Sequence, residues 1–162
     1  MVLIGAPGAG KSRIGKRIAK RLELPFVDTD QRIVAQHGAI SEIFGTHGEP
    51  HFRGLERIEV EKALHEHAVV SLGGGAILDP HTQAELEPLR VVQLEVTADF
   101  VAPRLANGKR PLIGGNIDNW IALVAARKPL YDSLSDLTVD TSSRPVTLIA
   151  DEIAHWIQEH DS

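Results

Sequence analysis

The chain has 162 residues, 43% hydrophobic and 24% charged, which suits one domain with a closed core and excludes a disordered chain. It has no cysteine, which excludes disulfides, thiolate metal sites and a cysteine nucleophile. A formal net charge of -5 argues against a surface-wide field for nucleic acid, and no apolar run nears the roughly 20 residues of a bilayer span.

In chain order, Val2–Ile4 reads as a short buried strand. The N-terminus is too short for a signal h-region and enters a glycine-rich loop directly, so a cytoplasmic protein is expected. Lys11–Leu22 is a helix with Ile14, Ile18 and Leu22 on one face. Leu24–Val27 is the second strand, and a normally wound sheet would place it beside the first. Short helices follow at about Gln31–Gln36 and Ser41–Phe44, the latter with Ser41 as its cap. Pro50 suits the first turn of a helix running to about His65. Ala68–Leu72 is a strand that stops at Gly73-Gly74-Gly75. Asp79-Pro80 opens a helix, Val91–Val96 is a strand, and Thr97 caps the helix after it. Asn107–Asn116 is a polar loop. Asp118–Tyr131 is a helix, Leu137–Val139 a strand and Pro145–His160 the last helix. Evenly apolar strands alternating with helices indicate an α/β fold with a parallel sheet covered on both faces. Ligands then bind beyond the C-terminal strand ends, in the loops 5–12, 28–30, 73–75 and 140–144.

Gly5-Ala6-Pro7-Gly8-Ala9-Gly10-Lys11-Ser12 fits G-x4-G-K-[ST] between a strand and a helix. Its glycines let backbone N–H groups turn in around phosphate, and the helix adds its dipole. Lys11 would reach the outer phosphates and Ser12 would offer its hydroxyl to Mg2+. The GTPase signatures N-K-x-D and D-x-x-G are absent, which leaves a small kinase as the expected class. Asp28 and Asp30 lie two apart on what reads as extended chain, so their carboxylates should point the same way. The competing reading makes Asp30 a helix cap. Three successive glycines are entropically costly and suit a ligand pressed against bare backbone. Arg53, Arg110, Arg127 and Arg144 lie near element boundaries or in loops, and none is decisive singly.

Together these segments resemble the shikimate kinase family over nearly the whole chain. The resemblance rests on the phosphate loop, Asp28-Thr29-Asp30, Phe52-Arg53 with Glu56, Ser71-Leu72-Gly73-Gly74-Gly75, Arg110-Pro111-Leu112, Arg127-Lys128-Pro129-Leu130-Tyr131 and Val139-Asp140-Thr141. It implies a three-layer P-loop fold with five parallel strands, a substrate segment at about 28–65 and a mobile lid at about 105–117, all in one kinase domain. It implies ATP-dependent, Mg2+-assisted phosphorylation of the shikimate 3-hydroxyl by a monomer. Asp30 would orient the attacking hydroxyl, and Arg53, Arg127, Gly74 and Gly75 would bind shikimate. Gly8, Ala9, Gly10, Lys11, Ser12 and Arg13 would hold ATP, with Arg110 reaching the phosphates from the lid and Arg144 flanking adenine. Ser12 and Asp28 would serve Mg2+. Arg13 departs from the threonine usual in the family.

Two other readings stand beside this one: a gluconate or nucleoside monophosphate kinase, and a nucleotide-binding regulatory module without phosphotransfer. The histidines at 47, 51, 65 and 67 do not make a zinc site, because Gly48 and Pro50 break any helix across 47–51 and no third ligand is near. Trp120 and Trp156 read as packing anchors.

Overall fold

The computed structural model describes residues 1–105 and 116–161. Five strands, β1 (Val2–Gly5), β2 (Phe26–Asp28), β3 (Val69–Ser71), β4 (Val91–Glu95) and β5 (Leu137–Asp140), form one parallel sheet in the order β2-β3-β1-β4-β5. Its helices are α1 (Lys11–Leu22), α2 (Thr29–His37), α3 (Ile40–His47), α4 (Glu49–Leu64), α5 (Pro80–Leu86), α6 (Ala98–Leu105), α7 (Ile117–Leu134) and α8 (Val146–His160). A 3-10 turn, Ala76–Leu78, precedes α5.

Alternation along the strands builds two cores. Leu3, Val92, Leu94 and Val139 face α1 and α8, where Ile14, Ile18, Ile149 and Ile153 cover them. Val2, Ile4, Val70 and Val91 face the opposite way, onto Val60, Ala63, Leu86 and Tyr131 of α4, α5 and α7. Both faces of the sheet are therefore dry, as its unbroken apolar strands require. None of the described helices is long and apolar enough to cross a membrane.

Several expected boundaries move for identifiable reasons. The strand expected at Leu24 starts at Phe26, because the chain first wraps the end of α1. Glu23 adopts a left-handed conformation (φ 56°), and Leu24 N–H donates back to the Ala19 carbonyl. β2 does not lie beside β1, since β3 is inserted between them. α3 begins at Ile40 with Ala39 as its cap, so Ser41 sits inside the first turn and does not cap it. Thr97 does cap α6, accepting from Phe100 N–H at 3.4 Å.

Candidate active site

The loop between β1 and α1 is shaped by two glycines with positive φ, Gly8 (86°) and Gly10 (85°). Its outer surface is held residue by residue. Trp120 Nε1 donates to the Pro7 carbonyl at 2.8 Å, Arg104 Nη1 to Gly8 at 2.7 Å, and Thr141 Oγ1 to Ala9 at 3.0 Å. Lys11 Nζ donates to the Gly5 and Ala6 carbonyls at 2.9 and 3.1 Å. Five successive carbonyls are thus engaged by side chains from α1, α6, α7 and the segment after β5. Tying down the carbonyls leaves the N–H groups at the head of α1 for an anion.

Beyond this loop lies a cavity of about 370 Å³. Gly8, Gly10, Lys11, Ser12, Arg13, Asp28, Asp30, Arg53, Gly74, Gly75 and Arg127 all line it. Ala9 and Arg144 do not. They border a second cavity of about 250 Å³ between the loop and α8, and Gly10, Arg13 and Arg104 border both. Arg144 pairs there with Glu152. Arg110 and residues 106–115 of the expected lid fall outside the described residues.

Asp28 and Asp30 reach the cavity by a route different from the expected one. Asp28 ends β2 and caps α2, its Oδ1 accepting from Gln31 N–H at 3.1 Å. Asp30 is not the cap; it stands in the first turn of that helix. The chain therefore turns between the two carboxylates and is not extended through both. Asp28 Oδ2 accepts a short hydrogen bond from Ser12 Oγ, which joins the phosphate loop to β2.

The glycine turn after β3 makes room for the site's own side chains. A Cβ on Gly73 would lie 2.6 Å from Asp30 Oδ1, and one on Gly75 would lie 2.4 Å from Arg53 Nη2. Tyr131 Oη donates to the Gly74 carbonyl at 2.6 Å and fixes that peptide. Burial raises the Tyr131 pKa, an effect that neighbouring Arg127 partly offsets. The phenol therefore stays a donor.

Away from the phosphate loop the cavity carries two guanidinium groups in different electrical settings. Arg53 Nη1 donates to Glu56 Oε1 at 2.8 Å. Glu56 is 3% exposed, and its pKa rises to about 6, chiefly through burial, with Arg53 opposing and Asp30 adding to the rise. Arg127 is 6% exposed and makes no ion pair among the described residues. Arg127 is close enough to Glu56 to be felt by its carboxyl but forms no direct ion pair with it, and a buried guanidinium in that state suits a site for an anionic ligand. The described cavity lining holds five basic residues (Lys11, Arg13, Arg53, Arg104, Arg127) against three acidic ones (Asp28, Asp30, Glu56) in a chain of net charge -5. Local charge, not the chain total, fits the cleft for anions.

Sequence reasoning missed Arg104, Trp120 and Thr141 as supports of the loop. Their signal is purely tertiary, since they lie 96, 113 and 132 residues from the carbonyls they hold. Glu56 was visible in the family pattern, but its burial was not. Among the described residues, no group of three or more His, Asp or Glu side chains could hold a metal ion. Trp120 is 3% exposed and packs with Ala6 and Val101.

The sequence profile described as Shikimate kinase matches residues 7–158. A shikimate kinase of Thermobifida fusca is 46% identical over 157 residues, covering 94% of this chain and 91% of that protein. One of Mycobacterium avium is 45% identical over 148 residues, covering 88% and 84%. Among solved structures, a shikimate kinase of Acinetobacter baumannii in complex with shikimate superposes with a TM-score of 0.91 at 28% identity, covering 98% of this chain and 92% of its own. A gluconokinase of Sinorhizobium meliloti reaches 0.65 at 18% identity, covering 98% and 90%, a likeness of fold alone.

Proposed function

The chain belongs to the shikimate kinase family, and on that premise we propose how its cleft phosphorylates shikimate with ATP. The observation that carries the reading is buried Arg127, which has no ion pair among the described residues and shares one cavity with Arg53, Asp30 and the phosphate loop. A small carboxylate with ring hydroxyls satisfies both ends of that cavity.

In this reading Gly8, Ala9, Gly10, Lys11, Ser12 and Arg13 hold the ATP phosphates. The smaller cavity beside α8 takes adenine against Arg144. Arg53 and Arg127 grip the shikimate carboxylate through their planar forks. The Gly74 and Gly75 backbone supports the ring, and Asp30 orients the 3-hydroxyl. The acceptor oxygen forms a bond to the γ-phosphorus while the bond to the bridging oxygen of ADP breaks. Asp30 takes the hydroxyl proton as that bond forms. Lys11 exchanges its carbonyl partners for phosphate oxygens and follows the shifting charge. Arg110, which lies outside the described residues, is the group the family resemblance assigns to the phosphates.

Ser12 Oγ and Asp28 Oδ2 already meet beside the phosphate loop, and oxygens of this kind fit Mg2+, Asp28 acting through water. The ion when bound would neutralise phosphate charge. Residues 1–162 act as one kinase domain, with 28–65 as its acceptor segment. Each proposed ligand group comes from this one chain, which supports a monomer. Use of ATP as the phosphoryl donor supports a cytoplasmic enzyme.

ADP release measured with shikimate, gluconate and AMP tests the reading. Shikimate alone should stimulate release. Asp30→Asn should lower turnover about 100- to 10,000-fold while nucleotide binding persists. Equal stimulation by gluconate, or near-normal turnover of Asp30→Asn, would refute the assignment.

A further inference from the structure

Arg57 lies one helical turn beyond Arg53 on α4 and belongs to no ligand group described above. It reaches across to α5 and its cap. Its Nη1 donates to Thr82 Oγ1 at 3.1 Å, its Nη2 pairs closely with Glu85 Oε1, and its Nε lies 3.9 Å from Asp79 Oδ1. All three partners sit just downstream of the glycine turn. Gly75 leads straight into the 3-10 turn Ala76–Leu78, and Asp79 then caps α5, accepting from His81 N–H at 2.8 Å. Ala76 and Ile77 are buried at 2% and 0% exposure, and Thr82 at 1%, so this segment is anchored in the core.

Between α4 and that segment is a cavity of about 320 Å³, bordered by Arg53, Glu56, Arg57, Gly75, Asp79 and Thr82. Val60 and Ala63 of α4 pack on Ala76, Ile77 and Leu86 on the core side, but on the side of Arg53 and Gly75 the space is open and apolar packing does not set the separation there. A guanidinium fork bonded across the gap can set it. The separation matters because Arg53 lies against Gly75 with room only for a hydrogen, a Cβ there falling 2.4 Å from Nη2. Glu85 Oε2 is buried and has no hydrogen-bond partner among the described residues. The Arg57–Glu85 contact thus carries a desolvation cost, and its value is geometric before it is energetic.

We propose that Arg57 is a positioning residue for the acceptor carboxylate. Through Thr82, Glu85 and Asp79 it fixes α4 against the segment that follows the glycine turn, and so sets the distance between the Arg53 guanidinium and Gly75. This rests on the shikimate-binding reading above. The effect belongs to acceptor recognition, because Thr82, Glu85 and Asp79, the side chains Arg57 bonds or pairs with, lie beyond the glycine turn and not in the phosphate loop or α1.

Steady-state kinetics of the full chain, with shikimate and ATP varied separately, test the proposal. Arg57→Met should raise the KM for shikimate about 10- to 100-fold, as expected for a misplaced binding group, with kcat and the KM for ATP within about twofold of wild type. Arg57→Lys, which restores charge but not the fork, should recover part of that loss. Thr82→Val and Glu85→Gln remove single partners without removing Arg57; each should raise the shikimate KM in the same direction, and they replace Arg57→Met should it fail to fold. An unchanged shikimate KM in the folded variants overturns the proposal. So does an equal rise in both KM values, or a fall confined to kcat. Wild-type protein with no shikimate-stimulated ADP release would overturn the acceptor reading itself. Wild-type turnover with insensitive variants would overturn only the role of Arg57.

Discussion

Replacing Gly75 with alanine should separate folding from acceptor binding. The added Cβ would lie 2.4 Å from Arg53 Nη2, 2.5 Å from Nη1 and 2.7 Å from Cζ. Carbon needs about 3.5 Å, so the guanidinium must retreat by about 1 Å. The backbone at Gly75 (φ -100°, ψ 0°) is open to alanine, and the obstruction is the tip of a flexible side chain. Folding should survive, helped by about 0.4–1 kcal/mol from the stiffer unfolded chain. Binding should not, because a 1 Å error in a positioning group costs about 100-fold. That factor corresponds to about 2.7 kcal/mol. Urea unfolding should show wild-type stability or slightly more, fluorescence titration should show wild-type ADP affinity, and the KM for shikimate should rise about 100-fold. A shikimate KM within about twofold of wild type would refute the claim that Arg53 is held in place by the bare glycine.

Two further outcomes follow from the same geometry. The native Glu56 pKa of about 6 stands above its ordinary 4.5, so the folded protein holds this proton more tightly than the unfolded chain does. Ionisation therefore costs stability as pH rises from the lower value through the upper, about 2 kcal/mol in full. Glu56→Gln lacks that loss, and its urea stability relative to wild type should improve by about 1 kcal/mol between about pH 5 and about pH 7.5; a gap independent of pH would contradict the burial argument. Trp120→Phe removes the donor to the Pro7 carbonyl, which should cost about 1–3 kcal/mol and weaken ATP more than shikimate. Thermal melts and separate KM values would check it, and a selective loss of shikimate affinity would count against the role given to Trp120.

Much of this architecture was legible in the amino-acid order. β1, α1 and the glycine-rich loop are local: apolar strand, positive-φ glycines and a four-residue apolar spacing all lie within about twenty positions. The burial of both sheet faces also followed from the unbroken apolar strands. The strand order did not, because nothing local to Phe26–Asp28 records that Val69–Ser71 intervenes. The caps fall at Asp28 and Ala39, each two residues before the residue the sequence offered, because a shift of that size at a helix start hardly alters the apolar pattern. At the site, residue types were readable and their loads were not. Arg53 and Arg127 look alike in sequence, yet one is paired with Glu56 and the other is buried without an ion pair among the described residues. The glycines at 73–75 announced a close approach, but what approaches from within the chain is Asp30 and Arg53.

β3 has a consequence for alignment. Ser71 pairs with Leu3 of β1 on one side and with Asp28 of β2 on the other, so one strand spaces the phosphate loop from Asp28. Sliding β2 by two residues would keep every side chain on its own face and leave the core content, yet it would carry Asp28 about 6.6 Å along the sheet. In-line transfer tolerates reacting atoms only about 3–3.5 Å apart. β3, inserted between β2 and β1, therefore works as a gauge block, setting from inside the protein the gap between the phosphate loop and Asp28. Substitutions that loosen it would misalign the reaction while every ligand-contacting residue remained in the sequence.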